Sequence, residues 1–71
     1  MGSVWGSTRA SRVLAALFRI GGRVKRVTGS HRTLARDGWL DYVFAFHDGD
    51  EVGPRMLVRI AKATGLIPDD L

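Results

Sequence analysis

The sequence predicts an α+β domain: a helix, three antiparallel strands and a second helix, with both helices on one face of the sheet. Three observations carry this. Val13, Leu14, Leu17 and Phe18, joined by Ile20, recur at helical spacing. Leu40, Tyr42, Phe44 and Phe46 alternate on one face of a strand, with Trp39, Asp41, Val43, Ala45 and His47 on the other. Met56, Leu57, Ile60 and Ala61 then return to helical spacing. Each helix has one apolar stripe, so both cover the same sheet face and leave the other open.

The elements follow in order. Residues 1–6 read as a flexible leader and 7–71 as a single domain. Ser7 or Thr8 supplies a helix cap. Gly21-Gly22 ends the first helix, because glycine accepts the left-handed conformation past a C-terminus. A strand from Arg23 to Thr28 turns at Gly29-Ser30 into a second from His31 to Arg36. Asp37-Gly38 is a hairpin signal, and the third strand runs from Trp39 to Phe46. On that alternation Trp39 falls on the open face, where it either stacks on a base, touches a partner or shields the sheet from solvent. His47 to Gly53 reads as a loop, Pro54 opens the second helix, Gly65 closes it, and Leu66 to Leu71 form a tail.

Composition narrows the function. The 71 residues contain no cysteine, which excludes disulfides and Cys-based zinc sites and fits a cytoplasmic protein. No apolar run approaches the roughly 20 residues of a membrane helix, so no membrane role is expected. The run from Val13 to Phe18 stops at Arg19 and makes a poor signal peptide.

The net charge of +4 hides a strong asymmetry. Arg9, Arg12, Arg19, Arg23, Lys25, Arg26, Arg32 and Arg36 all fall in the first 36 residues, which hold no acid. The remainder carries three bases (Arg55, Arg59, Lys62) and all seven acids. A positive field on one half of the chain suits a phosphate polymer, because neutralising phosphates releases counterions. An acidic protein partner satisfies the same charge.

Candidate chemistry centres on His31, one of only two histidines. It starts a strand directly after a tight turn, with Lys25, Arg26 and Arg32 close in sequence. RNA carries its own nucleophile, the 2′-hydroxyl. A positioned imidazole can take that proton or protonate the leaving oxygen. Nearby cations then stabilise the charge that builds on phosphorus. Lys25, Arg26 and Arg32 are therefore candidates to hold phosphates. Gly29 shapes the turn and lets backbone N–H groups approach the RNA, and Ser30 caps the turn or orients His31. His47 is either a second acid/base, if the strand ends converge, or a contact for a partner. A single histidine in a turn is equally what a surface residue or a hydrogen-bonding cap looks like. The cluster His47, Asp48, Asp50, Glu51 lacks the spacing of an EF-hand or a His-x-x-x-His site, so neither metal nor cofactor is expected.

From about Ser11 to Leu71 the chain resembles the HicA-type toxins of bacterial toxin–antitoxin pairs. The resemblance rests on the Leu-rich helix ending at Gly21, on RVTGSH, on YVFAFH, on EVGPRMLVRIAKATGL and on the acidic end PDDL. The family pattern of an Arg, two residues and Gly-Ser-His falls on Arg26 and Gly29-Ser30-His31; His47 and Pro54 match a second anchor in register. The resemblance implies a fold like the double-stranded RNA-binding domain and metal-independent endoribonuclease cleavage of mRNA, which blocks translation. It also implies that His31 is the catalytic histidine, that a HicB-type antitoxin covers the active site, and that the pair serves stress response or plasmid and phage maintenance. The chain departs from the family pattern at Gly22, where an aromatic is common, at Ala45 in place of Pro, and at Gly53 in place of Lys, with Arg55 offering a replacement cation. The Gly22 departure is expected to remove core packing near the first strand.

Two other readings remain open on the sequence. A non-catalytic RNA-binding module would keep salt-sensitive RNA affinity after loss of His31. A pure partner-binding protein would show no RNA affinity at all.

Overall fold

The computed structural model describes residues 4–71. The elements are β1 (Thr8–Arg9), α1 (Ala10–Arg19), β2 (Arg23–Thr28), β3 (His31–Ala35), β4 (Tyr42–Phe44), β5 (Glu51–Val52), α2 (Pro54–Thr64) and a final 3-10 turn, Pro68–Asp70. The α+β class, the three-stranded antiparallel sheet and the two helices are as the sequence predicts. The sheet runs in the order β2-β3-β4.

One face of that sheet makes the core. Leu34 and Phe44 are buried with Val13, Leu14 and Leu17 of α1 and with Leu57 and Ile60 of α2. These side chains form one core cluster on the face of Leu34 and Phe44, the face that both helices cover. Each fully buried large side chain among them stabilises the fold by about 1.5–3 kcal/mol relative to its exposed state. Phe18 departs from the expected stripe and is 44% exposed. Successive helical residues turn by about 100°, which carries Phe18 off the flank that Leu17 buries.

The start of α1 differs from expectation. Arg9, not Ser7 or Thr8, is the N-cap, and no side chain caps the helix. Backbone does that work: Ala10 N–H donates to the Asp50 carbonyl at 2.8 Å and Ser11 N–H to that of Asp48 at 3.2 Å. This approach is fixed by a short antiparallel ribbon, in which Thr8 of β1 pairs with Val52 of β5 and Arg9 with Glu51. The segment expected as an unbroken loop from His47 to Gly53 therefore contains a strand. Of the expected leader, residues 1–3 lie outside the described residues, and Trp5 packs half-buried against the core.

The third strand of the sheet is also shorter than the alternation suggested. Tyr42–Phe44 pair with β3, whereas Trp39 to Asp41 do not. A turn at Asp37-Gly38 brings Trp39 N–H to the Arg36 carbonyl at 2.9 Å, and Leu40 N–H then donates to Ala63 in α2 at 3.1 Å. With its backbone tied to a helix, Leu40 leaves the sheet and is 73% exposed. Trp39 is not on the open face either. Its ring packs against the core cluster and over Gly22.

The C-terminal tail is ordered by side chains. Leu66 is buried. The buried Thr64 hydroxyl donates to the Ile60 carbonyl at 2.7 Å and accepts from Leu66 N–H at 3.2 Å. Arg19 at the end of α1 donates to the Asp70 carbonyl, which ties the final turn to the first helix.

Candidate functional site

The site is built on the β2–β3 hairpin. Thr28 pairs with His31, which leaves Gly29 and Ser30 as a two-residue turn. Gly29 has φ +59, a conformation that costs an ordinary residue about 1–2 kcal/mol. The glycine in this turn is thus required by backbone shape, and a Cβ there would meet nothing within 4 Å.

Register assigns the side chains to faces. Arg32 pairs with the buried Phe44 and with Val27, so these three share the helix-covered face. Residues one position away take the other: His31 with Thr28, and Thr33 with Arg26 and Val43. His31 is exposed on this open face, at the free end of the sheet. β2 is an edge strand, and all six of its residues are exposed, including Arg23, Lys25 and Arg26. The ladder slips between Val24 and Arg26, a bulge that sets Lys25 out of regular pairing.

Lys25 is engaged by an acid. Its Nζ lies 2.6 Å from Asp41 Oδ2, with both side chains about half exposed. The sequence offered Lys25 as a phosphate holder; in the folded protein its charge is shared with Asp41. Among the described residues Arg26 has no such acidic neighbour, and it stands on the face of His31.

The other expected residues gather on the opposite side of the hairpin tip. Gly29, Ser30, Arg32 and His47 line one open cleft of about 300 Å³ with Val27, Phe46 and Asp48. Phe46 is propped edge-on against Phe44, with ring centres 5.2 Å apart. His47 opens a tight turn in which its N–H donates to Asp50 Oδ2 at 2.8 Å and Asp50 N–H returns to the His47 carbonyl at 2.9 Å. His31 does not line this cleft. The hairpin therefore separates the two histidines: His31 and Arg26 on the open face, Arg32 and His47 in the cleft.

Val27, Phe46, Asp48 and Asp41 were not singled out by the sequence as site residues. Phe46 carried a signal, since its alternation with Phe44 put it on the helix side. Asp41 carried none, because it lies 16 residues from Lys25 and meets it only through the fold. A larger hollow of about 390 Å³ is lined by Arg9, Gly49, Asp50 and Glu51. Two carboxylates against one guanidinium make it unsuited to a polyanion, so the smaller cleft is the better candidate.

One titration is displaced near the sheet. Burial raises the Tyr42 phenol above its ordinary value, and the positive charge of Arg59 partly offsets this.

The arrangement suits acid–base chemistry on a polyanion. An exposed imidazole shares the open sheet face with the Arg26 side chain, directly after the Gly29-Ser30 turn. No curated protein and no solved structure gives a significant match to the chain. A family profile described as "HicA toxin of bacterial toxin-antitoxin" matches residues 10–66, from the start of α1 through the buried Leu66.

Proposed function

Because the chain belongs to the HicA toxin family of bacterial toxin–antitoxin systems, we propose that it blocks translation as a metal-independent endoribonuclease that cleaves mRNA. The observation that carries this reading is His31, exposed on the open sheet face and sharing it with Arg26. His31 is the acid/base group. Acting as base, it takes the 2′-hydroxyl proton while that oxygen attacks the adjacent phosphorus; the P–O5′ bond breaks, and the leaving 5′-oxygen takes a proton from water. The products are a 2′,3′-cyclic phosphate and a 5′-hydroxyl. Acting as acid, it supplies that last proton instead, and water takes the proton of the 2′-hydroxyl. Arg26 holds the phosphate, and Lys25 joins it when RNA displaces Asp41. Gly29 and Ser30 offer turn backbone to the strand.

Membership of a toxin–antitoxin family implies an antitoxin partner. The HicB-type antitoxin of this reading covers the open face and its basic edge strand, which excludes RNA. Among the described residues no helix is long and apolar enough to cross a membrane. The proposed site of action is the cytoplasm, where mRNA is translated.

The test compares wild type with His31→Ala on a defined mRNA in EDTA, with both proteins shown folded by circular dichroism. His31 is exposed, so its loss is expected to leave stability within about 0.5 kcal/mol. Cleavage should fall by about 100-fold or more. Equal cleavage by both proteins would sink the assignment of His31. No cleavage by either, with salt-dependent RNA binding intact, would favour a binding module.

A further inference from the structure

We propose that the cleft behind the hairpin tip is a nucleotide subsite, holding the base of the nucleotide next to the one whose phosphate lies at His31. This rests on the ribonuclease reading above and adds to it a place where the substrate strand is gripped.

The cleft has the right parts for a base with its phosphate. Val27 and the half-buried Phe46 give it an apolar wall, and Phe46 is held in place against Phe44. A phenyl ring and an aliphatic side chain give any base an apolar surface to pack against. Arg32 supplies a guanidinium for a phosphate or for the Hoogsteen edge of a purine. His47 and Asp48 add a ring nitrogen and a carboxylate, able to accept from an exocyclic amino group. About 300 Å³ is enough for one nucleobase and little more.

Position ties the cleft to His31. Ser30 and Arg32, the residues on either side of His31, both line it. Alternation along β3 sends His31 one way and Arg32 the other. A single RNA strand crossing the bare Gly29-Ser30 turn thus has its phosphate on one side and a neighbouring base on the other. A paired base could not enter, so the substrate is single-stranded at this point. The cleft would then set which nucleotide flanks the cut.

The probe is a mixed-sequence RNA hexamer with every 2′-oxygen methylated, which binds but has no nucleophile. It is titrated into isotope-labelled protein and followed by amide NMR. Expected are shifts at Val27, Gly29, Ser30 and Phe46 to Asp48, with Arg26 and Thr33 shifting at the same RNA concentration. In cleavage assays on unmodified RNA, His47→Ala should raise KM by about tenfold, with the loss carried by KM rather than kcat, and should broaden the choice of base beside the cut. Shifts confined to the open face would overturn the subsite. So would a His47→Ala defect carried by kcat alone, which would make His47 a second acid/base. Shifts in the cleft on addition of the antitoxin but not of the hexamer would overturn it in favour of a protein contact. If wild type fails to cleave RNA yet the hexamer shifts the cleft, the ribonuclease reading falls and the subsite stands as a binding site.

Discussion

The ring of Trp39 occupies the space that a side chain at position 22 would need. A Cβ on Gly22 would sit 2.6 Å from Trp39 Cη2 and 2.7 Å from Cζ3. The family resemblance makes an aromatic common at position 22, and its replacement by glycine suggested lost packing. Here an aromatic ring comes instead from Trp39, in the β3–β4 connection, and packs against the core. The departure at Gly22 is compensated in space.

This pair predicts a coupled response. Gly22→Ala forces the ring away and is expected to cost about 1–3 kcal/mol, read from the urea midpoint. Trp39→Ala should cost about 2 kcal/mol, since the ring is only half-buried. The double variant should cost less than the two together, but some penalty remains because the Leu17 carbonyl lies 2.9 Å from the same Cβ. Strict additivity would contradict the contact.

Gly29 separates backbone shape from RNA approach. Gly29→Ala should lower stability by about 1 kcal/mol, and Gly29→Asn by less, because Asn tolerates positive φ. Neither Cβ meets protein within 4 Å. A drop in RNA affinity of Gly29→Asn, measured where it is fully folded, would therefore report contact between the turn and RNA. Unchanged affinity would leave Gly29 a purely conformational residue.

The Lys25–Asp41 pair predicts a gain of function in binding. Both groups are half exposed, so Asp41→Asn should change stability by no more than about 1 kcal/mol. Freeing Lys25 should tighten RNA binding at low salt. It should also steepen the slope of log affinity against log salt by about 0.7, because no freed Asp41 carboxylate takes a counterion back when Lys25 meets its phosphate. An unchanged slope would mean that Lys25 does not meet RNA.

Tyr42 predicts an alkaline weakness. Burial holds its folded pKa above the unfolded value of 10.0, with Arg59 partly opposing. The folded state thus binds the phenolic proton more tightly than the unfolded state. Its stabilising contribution is complete below the unfolded pKa and is lost as pH rises through the raised folded pKa. Wild type should lose more stability than Tyr42→Phe between about pH 9 and about pH 11, measured by urea unfolding. Parallel losses would show that the phenol is not the cause.

What the sequence revealed depended on how local the determinants were. The β2–β3 hairpin and the end of α2 were legible because Gly29-Ser30 and Gly65 mark chain reversals within a few residues. The β1–β5 ribbon was not, since two-residue strands show no periodicity and Thr8 meets Val52 only through the fold. Alternation misled at Trp39 and Leu40 because the chain there leaves the sheet for α2. At the site, residue types were legible but not their sides: Arg26, His31 and Arg32 look like one cluster along the chain, and register divides them between two faces.

The exposure of β2 has a bearing on solubility. An edge strand with unpaired backbone groups is a template on which another chain can add, and Val24 and Val27 offer apolar footing at 41% and 62% exposure. Like charge on Arg23, Lys25 and Arg26 repels a second copy, and the bulge at Val24 and Arg26 spoils the flat edge that such pairing needs. Removing these cations to dissect RNA binding would therefore also lift a guard against self-association, and light scattering should show aggregates as the charges are lost.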